Sequence, residues 1–317
     1  MSSKIKSKSE QLKQIKSNLD NLKIDSFLKL LFGLMNKKKL LEIVKLNKKL
    51  QKLMNLNIKD YQKYSESYSS IELELKLTKN DSHGDFTKIL GRKEENYYHI
   101  FFDDSKEEAK RNYLKENEKV NIIKIIIDYQ VTSFKELFNC RENISSINFK
   151  KFSRTNITDM SYMFNGCCSL SELNFSNFNT NSATNMSFMF NGCSRLKELN
   201  LSNFNNNNVT NMSFMFAGCE SLNKINFSNF NTNTVTNMEG MFWCCGSLSE
   251  LDLSNFNTNK VENMSGIFAD CPSLKELNLS NFNIRNGAET SGMFENCSKE
   301  LKEKIKEKYS TINFGEK

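Results

Sequence analysis

The 317-residue chain predicts an α/β solenoid, and three observations predict it. The first is a fixed period. Phe164, Phe190, Phe216, Phe242, Phe268 and Phe294 stand 26 residues apart, and so do Cys167, Cys193, Cys219, Cys245, Cys271 and Cys297. A constant period in the range of about 20–50 residues marks a supersecondary unit that stacks on its own copies. The second is the first half of each copy, where Leu196, Leu199 and Leu201 follow L-x-x-L-x-L. Side chains alternate along a strand, so Leu199 and Leu201 point inward and Asn200 outward. The third is the second half, where Val209, Met212, Met215 and Phe216 share one face of a short helix or 3₁₀ turn. Thr210 or Asn211 suits its N-cap and Gly218 a left-handed stop. The equivalent stops are Gly166, Gly192, Cys244, Asp270 and Asn296. Gly, Asn and Asp tolerate that conformation, and Cys244 is the exception.

The wording of Leu196 to Phe204 and of Val209 to Cys219 resembles the BspA-type leucine-rich repeat family. The match runs from about residue 118 to Cys297, with six copies free of insertions. The resemblance implies a right-handed solenoid with a parallel sheet on one face, and a binding or adhesive role. Many family members work at cell surfaces.

In chain order, residues 1–54 predict a charged helical segment. Leu12, Ile15, Leu19 and Leu22 form a short seam, Ile24, Phe27, Leu28, Leu31 and Met35 a second face, and Leu40, Ile43, Val44, Leu50 and Met54 a third. The order Leu22, Phe27, Leu31-Phe32, Lys39-Leu40-Leu41, Val44 and Lys48 resembles an F-box, which implies a Skp-type adaptor of a cullin ubiquitin ligase as partner. Residues 55–117 predict a small α+β domain. Ile71, Leu73, Leu75 and Leu77 alternate with polar residues as one strand, Tyr97 to Phe102 form another, and Ser105 to Leu114 a charged helix. Residues 118–298 are the solenoid, a degenerate first coil plus six repeats. Ile123 and Ile126 precede Phe149 and Phe152 by one period, and the strand Asn121 to Asp128 is more apolar than the later ones, as befits an end coil covered by another domain. Residues 299–317 form a C-terminal capping helix and tail, with Leu301 and Ile305 inward.

Charge is unevenly placed. The chain carries +7, yet residues 1–60 hold 15 Lys against 5 acidic residues, a net +10. The rest is slightly acidic, so no nucleic-acid partner is expected for the solenoid. The first residues lack an apolar signal core and no run of about 18 apolar residues occurs, so a cytoplasmic location is expected and a cell-surface one is less favoured. The single Pro and the abundance of Asn, Lys and Ile read as compositional bias without functional weight.

Nine Cys fall in the solenoid, most at one phase. Stacked coils about 4.8 Å apart would set them in a column of buried thiols, without the C-x₂-C pairs of a zinc site. His83 and His99 lie outside the repeats. No phosphate-cradling Gly loop and no G-x-S-x-G appear, so neither enzyme chemistry nor a cofactor is expected. The candidate protein-binding face is the outward side of the strands: Glu172, Asn174 and Ser176; Glu198, Asn200 and Ser202; Lys224, Asn226 and Ser228; Glu250, Asp252 and Ser254; Glu276, Asn278 and Ser280. Trp243, the only Trp, stands where other copies have Asn191 or Ala217 and reads either as an exposed anchor or as packed on the next coil. The expected function is therefore a non-enzymatic protein–protein interaction module with a polar repeat surface, its N-terminal helices offering a second partner a docking site. The alternatives are an F-box-like substrate adaptor and a surface adhesin exported without a recognisable signal.

Overall fold

The computed structural model describes residues 66, 68–78, 83–89 and 94–309. The helices expected over 1–54, with their F-box-like pattern, lie outside the described residues. The chain divides between Tyr68 and Ser69, and the strands and helix of the fold belong to the unit that begins at Ser69.

That unit corrects the expected fold class. It is not an α/β leucine-rich-repeat solenoid but a structure of strands and turns, with one α-helix bounded within the described residues. Among the described residues the sheets are short: one of five strands and three of two. Strands β1 (Ile71–Leu77), β2 (Gly84–Asp85), β3 (Tyr98–Phe102), β4 (Tyr113–Leu114), β5 (Ile123–Ile127) and β6 (Ile144–Lys151) precede five strands of three residues each. These are β7 (Glu172–Asn174), β8 (Glu198–Asn200), β9 (Lys224–Asn226), β10 (Glu250–Asp252) and β11 (Glu276–Asn278), one per repeat. Helix α1 (Lys299–Lys308) comes last.

The turn halves explain the missing helices. In each coil every second amide donates to the next coil instead of back along its own chain. Met212, Phe214, Phe216 and Gly218 donate to the carbonyls of Asn237, Glu239, Met241 and Trp243 at 2.7–2.9 Å. The amides between them close four-residue turns, as Met215 does to Met212 and Ala217 to Phe214. Two left-handed residues per coil make this possible. The expected stop column is left-handed throughout, from Gly166 (φ 68°) to Cys244 (φ 57°) and Asn296 (φ 54°). A second column, four residues earlier, is left-handed as well: Tyr162, Phe188, Phe214, Gly240, Gly266 and Gly292. A left-handed residue every fourth position forbids a right-handed α-helix. Nothing in the structure explains Cys rather than Gly at 244.

Inside, the columns run as the period predicts. Phe138, Phe164, Phe190, Phe216, Phe242, Phe268 and Phe294 are buried, and each ring stacks on the next with centroids 5.3–5.9 Å apart. The Met columns and Leu199, Leu201, Leu251 and Leu253 are buried beside them. Asparagine makes the corners. The Oδ1 atoms of Asn200, Asn205 and Asn211 each accept the amide two residues on, at 2.9–3.2 Å, and the same happens in neighbouring coils. These are Asx turns, so the Asn content is structural and not mere compositional bias.

The front end differs from a simple first coil. The turn half of residues 132–143 does stack on the next coil: Ser133 bridges Asp159, and the Phe134 amide donates to the Asp159 carbonyl at 2.8 Å. The strand half does not, because β1 lies between β5 and β6 and runs antiparallel to both. Buried Ile71, Leu73 and Leu75 alternate with polar residues along β1, as its sequence pattern requires. Arg154, fully buried, donates from Nη1 to the Asp128 carbonyl just beyond β5. The segment Ser105–Leu114 is not helical. Ala109 bridges Ile100 on the outer edge of β3, and Tyr113–Leu114 pair with Gly84–Asp85.

At the other end α1 is capped by Ser298, whose side chain accepts from the Leu301 amide at 3.2 Å, and it buries Leu301 and Ile305. The Tyr309 hydroxyl accepts the Leu279 amide at 2.9 Å. It thus takes a strand-edge donor that a further coil would otherwise bind.

Candidate functional site

The fifteen residues of the expected binding face lie on β7–β11 or just after them. They are exposed, except for half-buried Ser202, Ser254 and Asn278. Parallel registers align Glu198 with Lys224, Asn200 with Asn226, Glu250 with Glu276, and Asp252 with Asn278. The columns do different things. Asn174, Asn200, Asn226, Asp252 and Asn278 each accept the amide of the following Ser, so the Asn and Ser columns hold the corner. That contact, strongest from the Ser254 amide, holds the Asp252 carboxyl below its ordinary range. The first column is the free one. Glu172, Glu198, Lys224 and Glu250 project from it, while Glu276 accepts from Lys304 of α1 at 2.9 Å.

The strand ladder is not continuous. β6 pairs with β7, β8 with β9, and β10 with β11, but neither β7 and β8 nor β9 and β10 are paired. The amides of Leu201 and Leu253 donate to Asn226 and Asn278 of the next coil at 3.0 Å. Phe175 and Phe227 hold the same position at the two interruptions. Their rings pack edge-on against Phe204 and Phe256 of the next coil, with centroids 5.1 and 5.2 Å apart. Their carbonyls are bound by the side-chain amides of Asn203 and Asn255. The strands part where this position is Phe175 or Phe227 and pair where it is Leu201 or Leu253; Phe149, on the longer β6, is the exception and pairs with β1 on its other side. At the second interruption a groove of about 440 Å³ opens. Lys224, Ile225, Glu250, Asp252 and Glu276 line it together with Lys308 of α1. Ile225 and Lys308 were not expected from sequence. Only the alternation of Phe and Leu at 175, 201, 227 and 253 signalled the first, and nothing local signalled the second.

The thiol column is as expected for six of nine Cys. All nine are unpaired. Cys167, Cys193, Cys219, Cys245, Cys271 and Cys297 are buried, and each Sγ donates to a Phe carbonyl of the preceding coil at 3.0–3.3 Å. Burial pushes the Cys167, Cys219 and Cys271 thiols up to about 12. Cys140 is exposed, and Cys168 and Cys244 are half-buried.

Two further places gather chemistry. His99 on β3 bonds Glu108 through Nδ1 at 3.0 Å and Asp128 through Nε2 at 3.3 Å. Burial pulls its pKa down, but the two carboxylates outweigh that and raise it. A cavity of about 410 Å³ beside it is lined by Tyr98, Glu108, Lys110, Arg111 and Tyr113. Trp243 is 42% exposed, and its Nε1 donates to Asp270 Oδ2 of the next coil at 2.7 Å. It is therefore both exposed and tied to its neighbour. Among the described residues no group of three His, Cys, Asp or Glu could hold a metal ion, and no helix is long and apolar enough to cross a membrane.

A family model described as "Mycoplasma protein of unknown function, DUF285" matches residues 132–226 and 221–313, more than half of the chain. This chain belongs to the DUF285 family. The two DUF285 matches take in every repeat and the capping helix, and leave out β1–β5. No curated protein matches this DUF285 chain, and no solved structure does.

Proposed function

We propose that this DUF285 chain is a non-enzymatic protein–protein interaction module that presents the strand face of its coils. The observation that carries the reading is the groove between β9 and β10, where Lys224 and Lys308 face Glu250, Asp252 and Glu276 across half-buried Ile225. Mixed charge around an apolar floor suits a protein segment better than a uniform polar wall does. The stack behind it is fixed by stacked Phe and by four amide bonds between turn halves at each coil junction, so the face is offered without an ordering cost. The resemblance of the repeat wording to BspA-type proteins points to the same class of role. Nine unpaired Cys, six of them buried, suit a reducing compartment such as the cytoplasm.

The test is quantitative co-purification from native cells with wild type beside the double variant Lys224→Glu and Glu250→Lys, both in the free column. Partners that bind this face should be lost selectively from the variant while its melting curve stays unchanged. Recovery of the same partners in the same amounts would reject the strand face.

A further inference from the structure

A second surface lies on the turn halves. Here Tyr162, Phe188 and Phe214 occupy the second left-handed column, at φ 58°, 57° and 53°. Bulky side chains rarely accept that backbone, and such strain collects where a surface is used. The three rings are half-buried and stack face to face at 4.5 and 4.8 Å. The next residue in the column is Gly240, and the Phe214 ring fills the space its side chain would need. Gly240 also begins the turn that ends at Trp243, whose amide donates to the Gly240 carbonyl at 2.9 Å. One turn thus meets the last ring of the ladder at its start and carries the exposed indole at its end.

The charge around the indole is one-sided. The turn halves 210–220, 236–246, 262–272 and 288–298 hold Glu220, Glu239, Glu262, Asp270, Glu289 and Glu295, and no Lys or Arg. Of these, Glu262 is paired with Arg285 from outside the turn halves, at 3.1 Å. Asp270 holds the indole on Oδ2 and the Asn296 side-chain amide on Oδ1, both at 2.7 Å. Glu220, on the preceding coil, lies beside the end of the Trp243 turn, where its carbonyl accepts the Ser247 amide at 3.0 Å. An indole held by the Asp270 carboxylate, on turn halves that carry no Lys or Arg, is built to receive a cation on its ring face.

We infer that Trp243, Asp270 and Glu220 form a docking site for a basic protein segment, with an Arg or Lys side chain stacked on the indole and paired with the carboxylates. The apolar ladder of Tyr162, Phe188 and Phe214 extends the surface along the stack. The site does not depend on the strand face and stands or falls separately from it.

Trp243 is the only Trp, so its emission reports on the site directly. The full chain is titrated with a capped peptide alternating Arg and Gly, and with one alternating Glu and Gly. Expected are a shift of Trp243 emission and protection from iodide with the Arg peptide alone. A labelled peptide then gives affinities for variants. Trp243→Ala copies Ala217 of the preceding coil and should fold normally, as its melting point checks. It should weaken binding about two- to fivefold, the worth of one exposed cation–π contact, with Trp243→Phe in between. Asp270→Asn and Glu220→Gln should weaken it as well, and Glu250→Gln on the strand face should not. Affinity indifferent to Trp243→Ala would reduce the contact to diffuse attraction and overturn the site. Equal weakening by Glu250→Gln, or equal binding of the Glu peptide, would also overturn it. So would a dimeric mass with Trp243 already protected, which would assign the surface to a second copy.

Discussion

The ring of Phe214 lies where a side chain on residue 240 would be: a Cβ built on Gly240 would overlap the Phe214 ring. Gly240 is also left-handed, at φ 54°. Gly240→Ala therefore adds backbone strain and forces the ring aside, and is expected to cost about 1–3 kcal/mol in urea unfolding. Adding Phe214→Ala should recover part of that loss, because the clash disappears. Strictly additive losses would show that the ring is not the obstacle.

The Phe216 ring stacks between Phe190 and Phe242 with centroids 5.6 and 5.4 Å away, fully buried. Phe216→Ala is expected to destabilise the stack by about 3–5 kcal/mol, the cost of truncating a buried aromatic. A loss below about 1 kcal/mol by chemical denaturation would remove the Phe column from the core.

Phe227→Leu makes the position like Leu201 and Leu253. The amide of residue 227 is expected to bond the next coil, joining β9 to β10 and narrowing the groove. Hydrogen exchange at that amide should slow by at least about tenfold, which corresponds to roughly 1.4 kcal/mol of local protection. Unchanged exchange would mean that something other than ring bulk parts the strands.

His99 gives the fold a pH dependence of fixed sign. Its folded pKa is raised above the ordinary value, because Asp128 and Glu108 together outweigh its burial. The imidazolium thus contributes stability that is fully present below the unfolded pKa of about 6.5 and is lost as pH rises through the folded value. Thermal midpoints of wild type should fall across this window relative to those of His99→Gln. Parallel curves for the two proteins would rule the pairing out.

At the C-terminal end, Tyr309→Phe leaves the Leu279 amide without its acceptor. A loss of about 0.5–1.5 kcal/mol is expected, with faster exchange at Leu279 as the specific sign.

What the sequence made legible is what repeats within one coil. The period placed the Phe and Cys columns, the inward Leu pairs and the left-handed stops. Strong local periodicity also marked β1, β3 and α1. What stayed hidden depends on neighbours far along the chain. Tyr162, Phe188 and Phe214 carry no signal for a left-handed backbone, so the turn half read as a short helix or 3₁₀ turn, though every second amide bonds the next coil. The position of β1 between β5 and β6 is a matter of strand order, which no local pattern encodes. Within the strand face, the sequence marked all fifteen outward residues but could not separate Asn and Ser, which hold corners, from the Glu and Lys column, which is free. Lys308 reaches the groove only through the docking of α1.

The end structures bear on how such a chain can change. Each junction between coils repeats the same four amide bonds and the same ring contact, while β1 and Tyr309 close the two ends by unrelated means. Length is therefore an open variable: an inserted 26-residue unit meets a neighbour it already fits, and neither stopper senses the addition. A chain of this design can grow or shrink by whole rungs through duplication or loss in its gene, while each new rung arrives with a blank first column and an unclaimed turn. Variation can then write a new surface without renegotiating the interior.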